Sequence, residues 1–160
     1  MTKKEYHTAV YEFSDALYRF ALRLCRDEAS AQDIVQDTYE KVWIKHEEIS
    51  FEKVKSYLFR SLYNRFVDTT RKSKPLSIDD QTTINASFSL PNIDLNEVLH
   101  RALEQLSEIQ RSAVLLRDYE GYNYEEIGEI LNLNPSQVKV YIFRARKQLQ
   151  QIIGPLDAVI

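Results

Sequence analysis

The chain has 160 residues, 44% hydrophobic and 28% charged, with 3 glycines, 4 prolines and 1 cysteine, a globular balance poor in turn formers that points to an all-helical protein. The lone Cys25 excludes an internal disulfide and a cysteine zinc site, His7, His46 and His100 lack ligand spacing, and no apolar run approaches the roughly 18 residues of a membrane span. No metal or cofactor is expected, and a net charge of −3 argues, taken alone, against a nucleic acid partner.

Val10, Phe13, Leu17, Phe20, Ala21 and Leu24 recur at helical spacing and predict a first helix. After the polar "RDEAS", Ser30 is placed to cap a second helix, with Asp33 three residues on. Its buried stripe is Ile34, Val35, Thr38, Val42 and Trp43. "KHEEISFEK" reads as a loop in which His46 is a surface group. A third helix starts near Val54 and runs to about Lys72, with Val54, Leu58, Ser61 and Leu62 as its dry stripe. Opposite lie Arg60, Tyr63, Asn64, Val67 and Arg71, with Phe59 to one side. Tyr57 and Phe66 read as core, and Arg65 projects towards the dry stripe without an evident role.

The stretch "KPLSIDDQTTINASFSLPNI" has no sustained period and reads as a linker, at about 20 residues long for a connection inside one domain. The expected organisation is two small helical domains, 1–72 and 95–154, joined by a flexible linker over 73–94. In the second domain Val98, Leu99, Ala102, Leu103 and Leu106 mark one helix and "SEIQRSAVLLRDYEG" another, ending at Gly121. A tail, 155–160, follows a helix stop at Gly154 and Pro155.

"YEEIGEILNLNPSQVKVYIFRARKQL" (Tyr124 to Leu149) predicts two helices around a sharp "NLN" corner, a helix-turn-helix. Asn123 with Glu126, and Asn134 with Pro135 and Gln137, are capping-box-like starts. Gly128 lies where the two helices must approach closely. Val138, Ile142, Ala145 and Leu149 form the dry stripe of the second helix. Its other surface carries Ser136, Val140, Phe143, Arg144 and Lys147, with Lys139 and Arg146 on the flank. Such a face suits a major groove, where cations meet phosphate or guanine and apolar groups meet thymine methyls. A solvated bundle helix would normally mix acids with its bases.

Charge alternates along the chain. Asp27 to Glu52 holds eight acids and two bases, Lys53 to Lys74 seven bases and one acid, Asp118 to Glu129 five acids and no base, and Pro135 to Gln150 four bases and no acid. The two basic segments suggest two anionic contacts, and the acidic ones a separate, basic protein partner.

These motifs together resemble a known family. Leu103 to Leu149, with "LSEIQRSAVLLR", "GYNYEEIGEIL" and "VKVYIFRARKQL", is similar to the promoter −35-binding domain of bacterial sigma factors of the extracytoplasmic-function (ECF) group. "AQDIVQDTYEKVW" resembles the helix by which sigma domain 2 holds RNA polymerase, and "SYLFRSLYNRFVDTTRKSK" the −10 reader. The resemblance implies that Asp33, Gln36, Asp37 and Glu40 bind core RNA polymerase. It implies that Phe59, Arg60, Tyr63, Asn64, Arg71 and Lys72 meet the −10 element, Asn64 aligning with an asparagine that helps hold a flipped base. It further implies that Ser136, Lys139, Val140, Phe143, Arg144 and Lys147 read the −35 element. Relatives commonly carry Ser or Thr and then Arg where this chain has Val140 and Tyr141, so a different base preference is expected. The implied partners are core polymerase, promoter DNA and an anti-sigma factor, in the cytoplasm and without membrane insertion. The competing reading is a helix-turn-helix regulator that does not replace sigma, for which residues 1–72 lack the look of an effector or dimerisation domain. An enzyme is disfavoured, because no Gly-rich phosphate loop, metal cluster or Ser/Cys–His arrangement is present.

Overall fold

The structure, a computed structural model, describes the backbone of residues 1–73 and 95–157 and the side chains of 1–71 and 96–154. The expected linker lies outside the described residues, as does the side chain of Lys72. Among the described residues every regular element is helical.

α1 (Lys3–Cys25) starts on Thr2, whose hydroxyl accepts from the Glu5 N–H at 3.1 Å. It ends at Arg26 in the left-handed region, φ 56°. A two-residue corner, Arg26 and Asp27, leads to α2 (Glu28–Ile44). The cap of α2 is Asp27 rather than Ser30. The Asp27 carboxylate accepts from both the backbone N–H and the hydroxyl of Ser30, at 2.9 and 2.6 Å. Asp27 therefore holds the site that Ser30 was expected to occupy, and these bonds keep its own carboxyl below the usual range.

The loop after α2 contains two 3-10 turns, His46–Glu48 and Phe51–Lys53. His46 is buried, not a surface group: its ring stacks on Trp43 at 4.4 Å, and its Nδ1 lies 2.6 Å from the Trp43 carbonyl oxygen. Trp43 in turn stays 37% exposed, outside the buried stripe, because its ring lies against His46 and Tyr6 near the surface. α3 (Val54–Ser73) buries Val54, Leu58, Ser61 and Leu62 as the periodicity predicts. Phe66 is core as well, and Tyr57 is half-buried. α1, α2 and α3 pack together around Leu17, Phe20, Leu58 and Leu62. Fully burying each such side chain contributes on the order of 2 kcal/mol.

The second bundle comprises α4 (Leu95–Glu104), α5 (Glu108–Val114), α6 (Tyr124–Leu131) and α7 (Pro135–Asp157). Ser107 caps α5 through the Gln110 N–H at 3.2 Å. Beyond Val114 the helix widens into a π turn over Leu115–Tyr119, then stops at Gly121, whose φ of +73° suits glycine. α7 runs through Gly154 and Pro155 to Asp157, correcting the expected stop. Ile152, 6% exposed, anchors the final turns by packing, which outweighs the local preference of Gly and Pro.

The two bundles share one continuous hydrophobic core. α3 lies against α6, and the Phe59 ring, wholly buried, meets Tyr122 edge-on at 5.3 Å.

Candidate functional site

The helix-turn-helix is built by local bonds. At the start of α6 the Glu126 N–H donates to Asn123 Oδ1 at 2.8 Å, and the Asn123 N–H donates back to Glu126 Oε1 at 3.2 Å. At the start of α7 the Gln137 N–H donates to Asn134 Oδ1 at 2.8 Å, and Gln137 Oε1 accepts from the Asn134 N–H at 3.0 Å. Both expected capping boxes are therefore present. Asn132, in the left-handed region at φ 59°, turns the corner. Gly128 matters for a reason more local than helix approach: a Cβ there would stand 2.5 Å from the Leu133 carbonyl oxygen. Val138, Ile142 and Ala145 are buried beneath α7. Ser136, Lys139, Val140, Phe143, Arg144 and Lys147 are all exposed on it, Val140 by 44% and Phe143 by 66%. Arg146 is committed elsewhere, to Asp118 at 3.1 Å.

On α3, Arg60, Asn64 and Arg71 are exposed and Tyr63 is half-buried. Burial, with Glu108 nearby, pushes the Tyr63 hydroxyl above its ordinary range. Phe59 is corrected: with the bundles joined it is wholly buried and roofed by Tyr122, not placed on the outward reading face. On α2, Asp33, Gln36 and Glu40 are exposed, and Asp37 is half-exposed. A groove of about 400 Å³ between α2 and α3 is lined by Asp37, Glu40, Lys41, Ile44, Arg65 and Asp68. Arg65 has a role after all, donating from Nε to Asp37 Oδ2 at 3.0 Å.

The contacts that the sequence did not reveal lie between the bundles. Arg19 Nε and Nη2 donate to the two oxygens of Glu120 at 3.3 and 3.0 Å, and Arg23 reaches the same carboxylate at 3.4 Å. Glu120 is nearly covered, its side chain 4% exposed. Arg26 donates to Glu104 at 3.0 Å and lies 3.7 Å from Glu97. Lys53 and Ser56 donate to the two oxygens of Glu129 at 2.8 and 2.9 Å, and Lys55 donates to Glu126. Lys55 also sits 4.0 Å over the Tyr122 ring, a cation–π contact. Burial drives the Tyr122 hydroxyl up to about 12. The acidic segment from Asp118 to Glu129, expected to meet a separate basic protein, is largely paired inside the chain. One signal was readable: Arg19, Arg23 and Arg26 recur at i, i+4 and i+7, the first two on one face of α1 and the third just past its end.

Comparison with known proteins gives the family. Residues 10–75 match the model of Sigma-70 region 2, and residues 96–149 match that of Sigma-70, region 4. The ECF RNA polymerase sigma factor SigM of Bacillus subtilis (strain 168) is 28% identical, over 88% of this chain and 90% of that protein. RNA polymerase sigma factor SigV of the same organism is 29% identical, over 93% and 91%. Among solved structures, the sigma factor RpoE in complex with the anti-sigma factor NepR, from Bartonella quintana, superposes with a TM-score of 0.74 at 27% identity, covering 94% of this chain and 98% of that one. CnrH in complex with the cytosolic domain of CnrY gives 0.73 at 19% identity, over 96% and 90%, a likeness of fold. The chain belongs to the sigma-70 family of RNA polymerase sigma factors, in its ECF group.

Proposed function

We propose that this sigma factor binds core RNA polymerase through the outward face of α2 and reads a bipartite promoter through α3 and α7. Residues 1–72 hold polymerase and the −10 element, 95–154 hold the −35 element, and 73–94 connect them. The observation that carries the reading is the pairing, in one chain, of two helices whose exposed faces suit DNA in different ways. On α7 a doubly capped helix-turn-helix presents Lys139, Arg144 and Lys147 with no acid among them. On α3, Arg60, Asn64 and Arg71 offer an amide and cations of the kind that capture an unstacked strand.

The chain contributes recognition and strand stabilisation, not bond chemistry. Asp33, Gln36, Asp37 and Glu40 give polymerase an acidic and polar docking face, complementary to a basic partner surface. An anti-sigma factor, such as accompanies RpoE in its structure, fits as a regulatory partner. The setting is cytoplasmic, where polymerase and promoters are; among the described residues no helix is long and apolar enough to cross a membrane.

The deciding experiment is in vitro transcription with purified core polymerase on genomic promoter fragments. Initiation that depends on the chain supports the reading. Tight duplex binding by the chain alone, with no initiation on any promoter, would return it to the helix-turn-helix regulators. Lys139→Ala with Arg144→Ala is expected to cut −35 duplex binding and spare core binding. Asp33→Ala with Asp37→Ala should do the reverse.

A further inference from the structure

We propose that Arg19 and Arg23 of α1, Arg26 in the corner just past it, Lys53 in the turn before α3 and Lys55 on its first turn form a second DNA site on the N-terminal bundle, one for the phosphate backbone, which the carboxylates of the C-terminal bundle cover in this arrangement. The site rests on the promoter-binding reading but is separate from the outward faces of α3 and α7.

The interface is polarised by charge. Among the described residues, every ion pair between the bundles runs from a cation on α1, at Arg26 just past it or in the Lys53–Lys55 segment to a glutamate on the C-terminal bundle. Two intramolecular surfaces selected only for packing would exchange signs. A strip of one sign fits an extended polyanion.

The donor geometry also suits phosphate. Arg19 grips Glu120 with two N–H groups on two oxygens, the fork that a guanidinium also applies to a phosphodiester. Arg23 adds a third donor to the same carboxylate. Glu120 thus stands where a phosphate would stand, and Glu104, Glu126 and Glu129 occupy further positions along the strip.

Distance requires the strip to be uncovered during promoter binding. Elements centred at −35 and −10 lie about 85 Å apart on B-form DNA at ~3.4 Å per step. A folded chain of this length has a radius of gyration of about 15 Å and a diameter near ~40 Å. The bundles must therefore part for both elements to be held. Parting exposes the cations at the moment when DNA is at hand, and one polyanion replaces another.

The test uses the full chain and a short duplex of non-promoter sequence, with affinity followed against salt. One variant combines Glu120→Gln, Glu126→Gln and Glu129→Gln. A charge-matched control carries Glu12→Gln, Glu47→Gln and Glu48→Gln, all exposed and away from the interface. The interface variant is expected to show a larger radius of gyration by X-ray scattering than the control. It should also bind on the order of tenfold tighter at low salt, with a log–log salt slope steeper by about three. Adding Arg19→Gln, Arg23→Gln, Arg26→Gln, Lys53→Gln and Lys55→Gln should remove the gain, and the arginine changes alone should remove most of it. Equal affinity of interface variant and control, a gain that survives the arginine changes, or an unchanged radius of gyration each overturns the proposal. If the triple variant loses helicity, Glu129→Gln alone, at an exposed pair, must show the same ordering at smaller amplitude. The readout is non-promoter DNA, so it stands or falls separately from transcription by the unaltered chain.

Discussion

Single residues were legible in the sequence where their job is local. Asn123 and Asn134 cap helices through atoms three residues away, so the motif contains the whole interaction. Gly128 was legible as a close approach, and its partner proves to be the Leu133 carbonyl. That oxygen belongs to the backbone of the corner and cannot swing aside. Gly128→Ala is therefore expected to destabilise the C-terminal bundle by about 1–3 kcal/mol, read as a lowered urea midpoint with far-UV circular dichroism; an unchanged midpoint would show that the corner relaxes freely. Residues whose neighbours are remote in sequence were misread. A helical wheel put Phe59 beside the DNA face because it contains no Tyr122, and it gave Arg65 no partner because Asp37 is on another helix. Ser30 and Asp27 both had cap chemistry, and the choice went to the side chain that could accept two bonds from the other.

Elements were legible from period and lost at their irregularities. The dry stripe of α3 is the one that the apolar spacing predicts, and so is that of α7 up to Leu149, which is half-buried. The π turn over Leu115–Tyr119 was not, since an extra residue per turn leaves no compositional trace. The turn nonetheless determines the site, because Glu120 and Tyr122 leave the helix from it. On α7 the cap matters more than its size suggests. Asn134→Ala should cost about 1 kcal/mol of stability and weaken −35 duplex binding, because Ser136 and Lys139 ride on the first turn that Asn134 orders. Equal −35 affinity at full stability loss would mean that the first turn does not touch DNA.

At the scale of the molecule, composition was the poorest guide. A net charge of −3 hides two bundles that face each other with opposite signs. Their contact also predicts a pH response. Lys53 and Ser56 hold the Glu129 carboxyl below its usual range. Glu126 is lowered too, burial working against Lys55 and the Asn123 N–H. Groups with depressed values stabilise the folded contact above their ordinary pKa and lose that contribution as pH falls through the lowered one. The bundles should thus stay joined from neutrality down to the usual glutamate range and part below it, with helicity retained. They should also loosen on adding salt at neutral pH, because the pairs of Arg26 and Lys53 are open enough to solvent to be screened. Scattering that is flat in both titrations would show that apolar contacts alone hold the bundles. The molecule carries its own reporter of the event. Cys25, the single thiol of the chain, is half-buried at the end of α1, where Arg111 of the other bundle reaches across to the Leu24 carbonyl. Burial drives its pKa up to about 11, so little thiolate exists at neutral pH and alkylation is slow. When the C-terminal bundle leaves, water returns to that sulfur. The rate of a simple alkylating reagent then becomes a clock for opening, on the unmodified protein, with salt, acid, DNA and polymerase each readable on the same scale.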